Sequence, residues 1–221
     1  MKGLFFGDFF EKMKIFKGRI FSFLKKPDNI HDTGSYILLE KGAIVCDETG
    51  VIVEIDDYSK LAKKYEGIET EDFGSKIICP GFIDLHNHFP QTQVIASYGT
   101  KLLEWLNKYT FPNESLFSDD SHCERESKVF LDLLNNNGIT TTVSFGSVHV
   151  NSVEYLFREA HNRNMCVIAG NVLMDRNAPN TVLEKADKSY LNSKEIIDRW
   201  HNVGRCKYAV TPRFAITSTP E

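Results

Sequence analysis

The residues of this chain whose types and spacing best suit metal chemistry are two histidines one residue apart, His86 and His88. They end an apolar, β-prone segment that contains Ile83 and Leu85 and is flanked by Pro-Gly and Phe-Pro pairs, a pattern typical of a buried strand. Residues two apart on a strand share a face at about 6 to 7 Å, so we expect Asp84, His86 and His88 to point the same way. Two neutral imidazoles at that separation can bind one ion, and zinc is the usual ion for hydrolysis. The spacing alone also allows a metal-free, hydrogen-bonded pair.

Other polar residues carry weaker chemical signals. The run His122-Cys123-Glu124 repeats half of a second zinc-enzyme signature, but no Pro-Cys-x-x-Cys follows, and we interpret it as a loop leading into a helix. His149 ends a predicted strand, where we expect a structural hydrogen bond. The run Asp175-Arg176-Asn177 follows another strand and either shapes a pocket or holds a loop. Asp84 either orients a metal-bound imidazole or accepts hydrogen bonds from the backbone.

The pattern of elements changes near Lys76. Before it, short β-prone runs surround a hairpin signal, Asp47-Glu48-Thr49-Gly50, and predict part of a small β-sandwich domain over residues 1–76. Over residues 77–221, apolar strands alternate with amphipathic helices. The strand candidates are 77–88, 140–148, 166–174 and 208–214, and the helix candidates are 124–136, a helix from Asn151 and a helix capped by Ser193. Repeating strand–helix units predict a parallel sheet with both faces covered.

Length distinguishes the two architectures that such repeats can form. A closed (β/α)₈ barrel takes about 250 residues, so the residues after Lys76 have room for about four of its eight strands. A doubly wound sheet would close within that length, but no glycine-rich phosphate loop follows any predicted strand. The candidate functional groups instead lie at the carboxyl ends of strands, where barrel enzymes place their sites. We therefore predict an α/β chain that forms a partial TIM barrel.

Composition excludes several classes of protein. The net charge of −4 comes without a long basic run, which argues against nucleic-acid binding. No apolar stretch approaches the roughly 20 residues that a membrane span requires. The five cysteines are odd in number and widely spaced, which argues against a disulfide framework and suits a reducing cytoplasm. Charged residues interrupt the phenylalanine-rich start of the chain, so we expect a short extension rather than a targeting peptide.

Five sequence words carry a resemblance to a known family: PGFIDLHNHFPQTQ, YGTKLLEWLNKYTFPNE, GITTTVSFGSVH, VLMDRNAP and YAVTPRF. Through them, residues from about Ile78 to Glu221 resemble the N-terminal half of the guanine deaminases, which belong to the zinc-dependent amidohydrolase superfamily. The region before Pro80 resembles these enzymes less sharply, although its hairpin pattern fits the strands that open them.

The resemblance implies roles for seven residues. Two would be zinc ligands, and six, one of them shared, would bind guanine: the ligands are His86 and His88, and the guanine-binding residues are His88, Phe89, Pro90, Gln91, Arg213 and Phe214. An Arg fork suits the adjacent O6 and N7 acceptors of guanine, whereas adenine presents a donor in place of O6. Zinc would lower the pKa of its water towards about 7, and the hydroxide would attack C2 of guanine to give xanthine and ammonia.

The resemblance also implies groups that this sequence lacks. Family members carry a His-x-x-Glu, a further His and a ligand Asp on later strands, which we expect beyond Glu221. We therefore predict that the 221-residue chain is inactive alone. The resemblance further implies a role in purine metabolism and a homodimer for the full-length enzyme. Two alternatives stay open: a related amidohydrolase that acts on another ring amide or amidine, and a shortened, non-catalytic interaction product.

Overall fold

The computed structural model describes residues 13–220, and residues 1–12 of the predicted N-terminal extension lie outside this range. The described chain divides into two compact units, one that ends at Pro80 and one that begins at Gly81. The first unit contains strands β1 Lys14–Phe23, β2 Tyr36–Cys46, β3 Ile52–Asp57 and β4 Thr70–Ile78, with helix α1 Tyr58–Lys64 between β3 and β4.

The four strands of the first unit form one sheet in the order β3-β2-β1-β4. Strand β2 is antiparallel to both β1 and β3, while β4 runs parallel to β1. The predicted hairpin turn is confirmed between β2 and β3. Gly50 adopts a φ of 82°, and the Asp47 carboxylate accepts hydrogen bonds from the backbone N–H groups of Thr49 and Val51.

Alternating residues of β2 give this sheet two apolar faces. Ala43 and Val45 pack with Leu61 of α1 on one face. Ile44, next to them in sequence, packs with Ile20 on the other. This period of two is the one that a strand imposes on its side chains. Among the described residues of this unit, a helix rather than a second sheet covers the first of these faces.

The second unit alternates strands with helices, as the sequence pattern predicts. Its strands are β5 Phe82–His88, β6 Ile139–Phe145, β7 Cys166–Gly170, β8 Val172–Leu173, β9 Cys206–Tyr208 and β10 Thr211–Pro212. Its α-helices are α2 Leu102–Trp105, α3 Phe111–Ser115, α4 Asp120–Asn136, α5 Val150–Asn162 and α6 Ala186–Trp200. A π-helical segment, Leu106–Thr110, joins α2 to α3.

Four strands of this unit form a parallel sheet in the order β5-β6-β7-β9, and β8 pairs with β10 separately. The order follows the chain without the reversal that defines a doubly wound sheet. Strands β5 and β9 are the edges, so the part of the chain that the structure describes forms an open wall and not a closed barrel. Because β5 is an edge, its apolar residues Phe82, Ile83 and Leu85 are exposed, contrary to the buried strand that their sequence predicts.

Helices α4 and α5 bury the main core of the unit against the sheet. The largest fully buried members of this core are Phe89, Phe117, Leu131, Leu156, Phe157 and Ile196. Helix α6 begins at Ala186, so the prediction that Ser193 caps it is wrong. Ser193 is buried within the helix, where its hydroxyl accepts a hydrogen bond of 2.9 Å from Tyr208 and donates one of 3.4 Å to the side-chain oxygen Oδ1 of Asn171.

Candidate functional site

The two histidines of β5 lie together at the carboxyl end of the strand. The ring centroids of His86 and His88 are 5.6 Å apart, and the two planes are nearly perpendicular. Phe145, which ends β6, stacks on His88 at 4.7 Å and meets His86 edge-on at 5.8 Å. The Nδ1 atom of His88 is buried and has no hydrogen-bond partner within residues 13–220. The pair therefore offers ring nitrogens that the described protein does not use.

His88 is held in its neutral form. Burial, the positive charge of Arg213 and the neighbouring His86 together lower the pKa of its imidazole to about 4, and burial is the largest of these causes. A neutral imidazole is the form that binds a metal ion. The contribution of Arg213 also shows that this residue, 125 positions further along the chain by its number, lies close to the histidine.

Asp84 does not join the histidines, contrary to the expectation from simple alternation. Its carboxylate accepts hydrogen bonds from the backbone N–H of His86 at 3.1 Å and from the side chain of Asn87 at 2.9 Å. The pairing with β6 explains this. Strand β5 advances three residues from Asp84 to Asn87 while β6 advances two, from Thr142 to Ser144, so a bulge interrupts the alternation of faces. Of the two roles left open for Asp84, the structure shows the backbone one.

The donor chemistry of the pair suits zinc, but the pair is not a complete metal site. Within residues 13–220, no group of three or more His, Cys, Asp or Glu side chains could hold a metal ion. A catalytic zinc normally has at least three protein ligands. His86 and His88 therefore match part of such a ligand set, and the described chain does not supply the remainder.

Two of the predicted base-binding residues, Gln91 and Arg213, are joined by a carboxylate that the sequence pattern did not predict. Glu114 of α3 accepts a hydrogen bond from Gln91 Nε2 at 3.1 Å and pairs with Arg213 Nη1 at 2.6 Å. The side chains of Glu114 and Arg213 are only 1% and 3% exposed. The guanidinium carbon of Arg213 lies 5.5 Å from the ring centre of Phe111 and 5.8 Å from that of Phe214. The structure thus brings together Gln91, Arg213 and Phe214.

Phe89 and Pro90, also predicted to line the pocket, have buried side chains and form hydrogen bonds through their backbone. Phe89 is fully buried in the core, with its ring 5.0 Å from that of Phe117, and its N–H donates to Ser144 Oγ at 3.2 Å. Pro90 is buried as well, and its carbonyl oxygen accepts a hydrogen bond from Asn113 Nδ2. These contacts fix the short segment that links His88 to Gln91.

A cavity of about 320 Å³ opens beside these residues. Its lining residues include His88, Gln91, Ser97 and Trp105, but neither Arg213 nor Phe214. The indole N–H of Trp105 donates a hydrogen bond to the Ser97 carbonyl at 2.9 Å. A larger cavity, of about 530 Å³, lies next to α6 and contains neither histidine of the pair nor Gln91 or Arg213.

The run Asp175-Arg176-Asn177 holds a loop. Asp175 accepts hydrogen bonds from the backbone N–H and the hydroxyl of Thr219, which lower the pKa of its carboxyl. Arg176 and Asn177 donate to the backbone carbonyls of Ala215 and Ile216. Of the two roles left open for this run, the structure shows the second, and the loop it holds directly follows Phe214.

The remaining histidines with chemical signals are structural. His149 forms the expected hydrogen bond, from its ring to the Thr181 carbonyl at 3.1 Å. His122 lies in the first turn of α4 rather than in a loop; its backbone N–H donates to Asp119, and its ring packs against Phe117 and contacts Arg125. Neither residue lines the cavity beside His88.

The role of Glu114 could have been predicted in one way only. The residues around it are a mixture of polar and apolar types, so the local pattern does not distinguish a buried Glu114 from a solvent-exposed helix residue. However, an Arg that binds a neutral base in a buried site needs a counter-charge, because an uncompensated buried charge is strongly destabilising. That requirement predicts an acidic partner for Arg213 without saying which acid it is.

The chain belongs to the amidohydrolase family, whose model matches residues 77–221. Its relatives include the guanine deaminase of Escherichia coli, which is 51% identical over 154 residues, covering 70% of this chain and 35% of the relative. The structure of this chain is similar to the solved structure of the E. coli enzyme, with a TM-score of 0.89 and 40% sequence identity. The similarity covers 94% of this chain and 48% of that one. The Clostridium acetobutylicum guanine deaminase, solved with guanine in its active site, matches with a TM-score of 0.81 and 30% identity and has the same coverage.

These similarities confirm the resemblance to guanine deaminases over their N-terminal portion and the α/β fold with part of a TIM barrel. The chain spans about half of the length of these relatives, or less.

Proposed function

We propose that this chain forms the base-recognition part of a guanine deaminase, a zinc hydrolase that converts guanine to xanthine and ammonia. The observation that carries the proposal is the bridge from Arg213 through Glu114 to Gln91, next to His88. It supplies a cationic donor fork and an amide at one site, and guanine presents both adjacent acceptors, O6 and N7, and adjacent donors, N1–H and the 2-amino group. Phe214 adds a ring that can contact the plane of the base.

We propose His86 and His88 as two ligands of the zinc ion. Zinc would supply a Lewis acid and an activated water at this position. The neutral state of His88 and its unused Nδ1 support this role. Within residues 13–220, no further His, Cys, Asp or Glu joins the pair to complete a metal site. We therefore expect the 221-residue chain to bind guanine without deaminating it.

The domains, the cellular location and the oligomeric state of the enzyme are also proposals. We propose an N-terminal extension and part of a small β domain over residues 1–76, the first half of an amidohydrolase barrel over residues 77–221, and a role in purine metabolism. All five cysteines are free, which supports a reducing cytoplasm. Within residues 13–220, no helix is long and apolar enough to cross a membrane. A homodimer remains our expectation for the complete enzyme.

The test measures binding and turnover separately. The purified chain is given equimolar Zn²⁺, guanine and adenine affinities are measured by equilibrium dialysis, and xanthine is measured by chromatography. We expect at least tenfold tighter binding of guanine than of adenine, and no xanthine. Equal affinity for the two purines would contradict guanine recognition. Xanthine formation would instead contradict the prediction that the 221-residue chain is inactive alone.

Arg213→Lys is the informative variant, because lysine keeps the charge but loses the planar fork. We expect the preference for guanine over adenine to fall about 10- to 100-fold, as a lost bidentate contact predicts. Arg205→Lys, at the turn between α6 and β9, is the control and should not change the preference. An unchanged preference in Arg213→Lys would favour a related amidohydrolase with a different substrate.

A further inference from the structure

Glu114 divides its two carboxylate oxygens between two residues of the proposed base site. Oε1 accepts from Gln91 Nε2, and Oε2 accepts from Arg213 Nη1. The side chain is 1% exposed, so water does not compete for these oxygens. Its two partners lie 23 residues before it and 99 residues after it in the sequence. One buried group therefore connects the segment after β5 with the segment after β10.

The neighbours of Glu114 on α3 hold the same two segments. Asn113 donates to the backbone carbonyl of Pro90, the residue before Gln91. The ring of Phe111 lies beside the Arg213 guanidinium. Phe111, Asn113 and Glu114 thus contact both segments from one short helix.

The chemistry of a carboxylate determines how Gln91 must be oriented. An ionised carboxylate only accepts hydrogen bonds, so Gln91 must turn its NH₂ group towards Glu114. Its carbonyl oxygen, Oε1, is then left to accept a hydrogen bond from a ligand. Arg213 is constrained in a related way. With Nη1 committed to Glu114, its other edge, Nε and Nη2, is free: Nε is buried with no partner among the described residues, and no hydrogen bond within residues 13–220 uses Nη2.

We propose that Glu114 is a positioning residue that sets the donor and acceptor polarity of the purine site. It makes the side-chain oxygen of Gln91 the acceptor for the donor groups of the base, N1–H and the 2-amino group. It also leaves two donors of Arg213, Nε and Nη2, for the acceptor groups of the base, O6 and N7. Guanine has this combination, whereas adenine offers a donor at position 6 and an acceptor at N1. The inference rests on the proposed function, and it adds a residue that touches no substrate atom but decides which base is accepted.

The proposal predicts an inversion in the isosteric variant Glu114→Gln. The new amide has one acceptor, which the donor Nη1 of Arg213 requires, so its NH₂ group faces Gln91. Gln91 must then turn its carbonyl oxygen inward and present its NH₂ group to the base. A donor would face the donors of guanine. We expect guanine affinity to fall at least tenfold while adenine affinity falls less.

The rescuing variant moves the carboxylate instead of removing it. In Gln91→Glu/Glu114→Gln, the NH₂ group of the new amide donates to one oxygen of the carboxylate at position 91, and the other oxygen faces the base as an acceptor. We expect most of the guanine affinity to return. The matched control is Glu184→Gln: Glu184 is 10% exposed, accepts from Asn192 and pairs with Lys188 at 3.0 Å, but lies outside the site. It should bind guanine as the unmodified chain does.

Equilibrium dialysis with guanine and adenine measures these affinities, and circular dichroism checks the fold of each variant. Unchanged guanine affinity in folded Glu114→Gln, or a double variant no better than that single variant, would overturn the inference.

A measurement that needs no ligand separates this inference from the proposed function. The side-chain NH₂ of Gln91, assigned in nitrogen–proton spectra by its disappearance in Gln91→Glu, should exchange slowly with solvent in the unmodified chain. Fast exchange would overturn the role of Glu114. Slow exchange in a chain that binds no guanine would refute the proposed function and the base preference assigned to Glu114 while leaving its orientation of Gln91 in place.

Discussion

Removing one partner of the Arg213–Glu114 pair should destabilise the second unit far more than removing an equally short ion pair at the surface. At 2.6 Å and an effective dielectric constant of about 20, two unit charges attract by roughly 6 kcal/mol. Desolvating each ion costs several kcal/mol, so the intact pair contributes little net stability. Glu114→Ala removes the attraction but leaves Arg213 buried. We therefore expect the free energy of unfolding to fall by about 3–5 kcal/mol.

Urea unfolding followed by tryptophan fluorescence is the appropriate assay, because both tryptophans, Trp105 and Trp200, belong to the second unit. The control pair is Lys128–Glu124, with an N–O distance of 2.8 Å and both side chains 50% exposed. Lys128→Ala should cost no more than about 0.5 kcal/mol. The comparison keeps the distance between charges nearly constant and changes only their burial.

The double variant Glu114→Leu/Arg213→Met completes the test. It removes both charges together, so we expect it to lie within about 2 kcal/mol of the unmodified chain and to be more stable than Glu114→Ala. The corresponding coupling energy would be at least about 3 kcal/mol. If the effects of the two positions simply add, or if Glu114→Ala costs as little as Lys128→Ala, the reasoning from buried charge is wrong.

Three further predictions concern other parts of the chain. Two ligands should supply about half of the binding free energy of a full structural zinc site, which is about 10–16 kcal/mol, so calorimetry should give a zinc Kd of about 1–200 μM. His88→Ala should abolish this binding, and a nanomolar Kd would reveal further ligands. Burial raises the pKa of Cys123 to about 12, so a thiol reagent at neutral pH should modify exposed Cys79 first and Cys123 only after unfolding; equal rates would contradict the burial. Phe157→Ala should lower the free energy of unfolding by about 3–5 kcal/mol, and exposed Tyr190→Ala by less than about 0.5; similar losses would place Phe157 outside the core.

Local pattern was sufficient for the repeat of strands and helices, for the hairpin at Asp47 and for the histidine-bearing strand. Each of these depends on the periodicity or the turn chemistry of consecutive residues. The predictions were wrong where a tertiary contact changed the role of a residue. Ser193 has the side chain of a helix cap but lies inside α6, where Tyr208 and Asn171 are its partners. Asp84 has the spacing of the histidines, but a bulge in the pairing with β6 gives it backbone partners.

The candidate site likewise has features that follow from local sequence and features that depend on tertiary contacts. The sequence by itself determined which residue types are present: two imidazoles at ligand spacing, an amide at Gln91 and a guanidinium at Arg213. Only the tertiary structure decided how these groups face one another, because Glu114 meets partners 23 and 99 residues away through the packing of α3 against two strand ends. Hydrogen-bond polarity and the cost of a buried charge depend on which groups share a water-free space. Consecutive residues do not determine that, since the chain encloses such a space only when distant segments pack together.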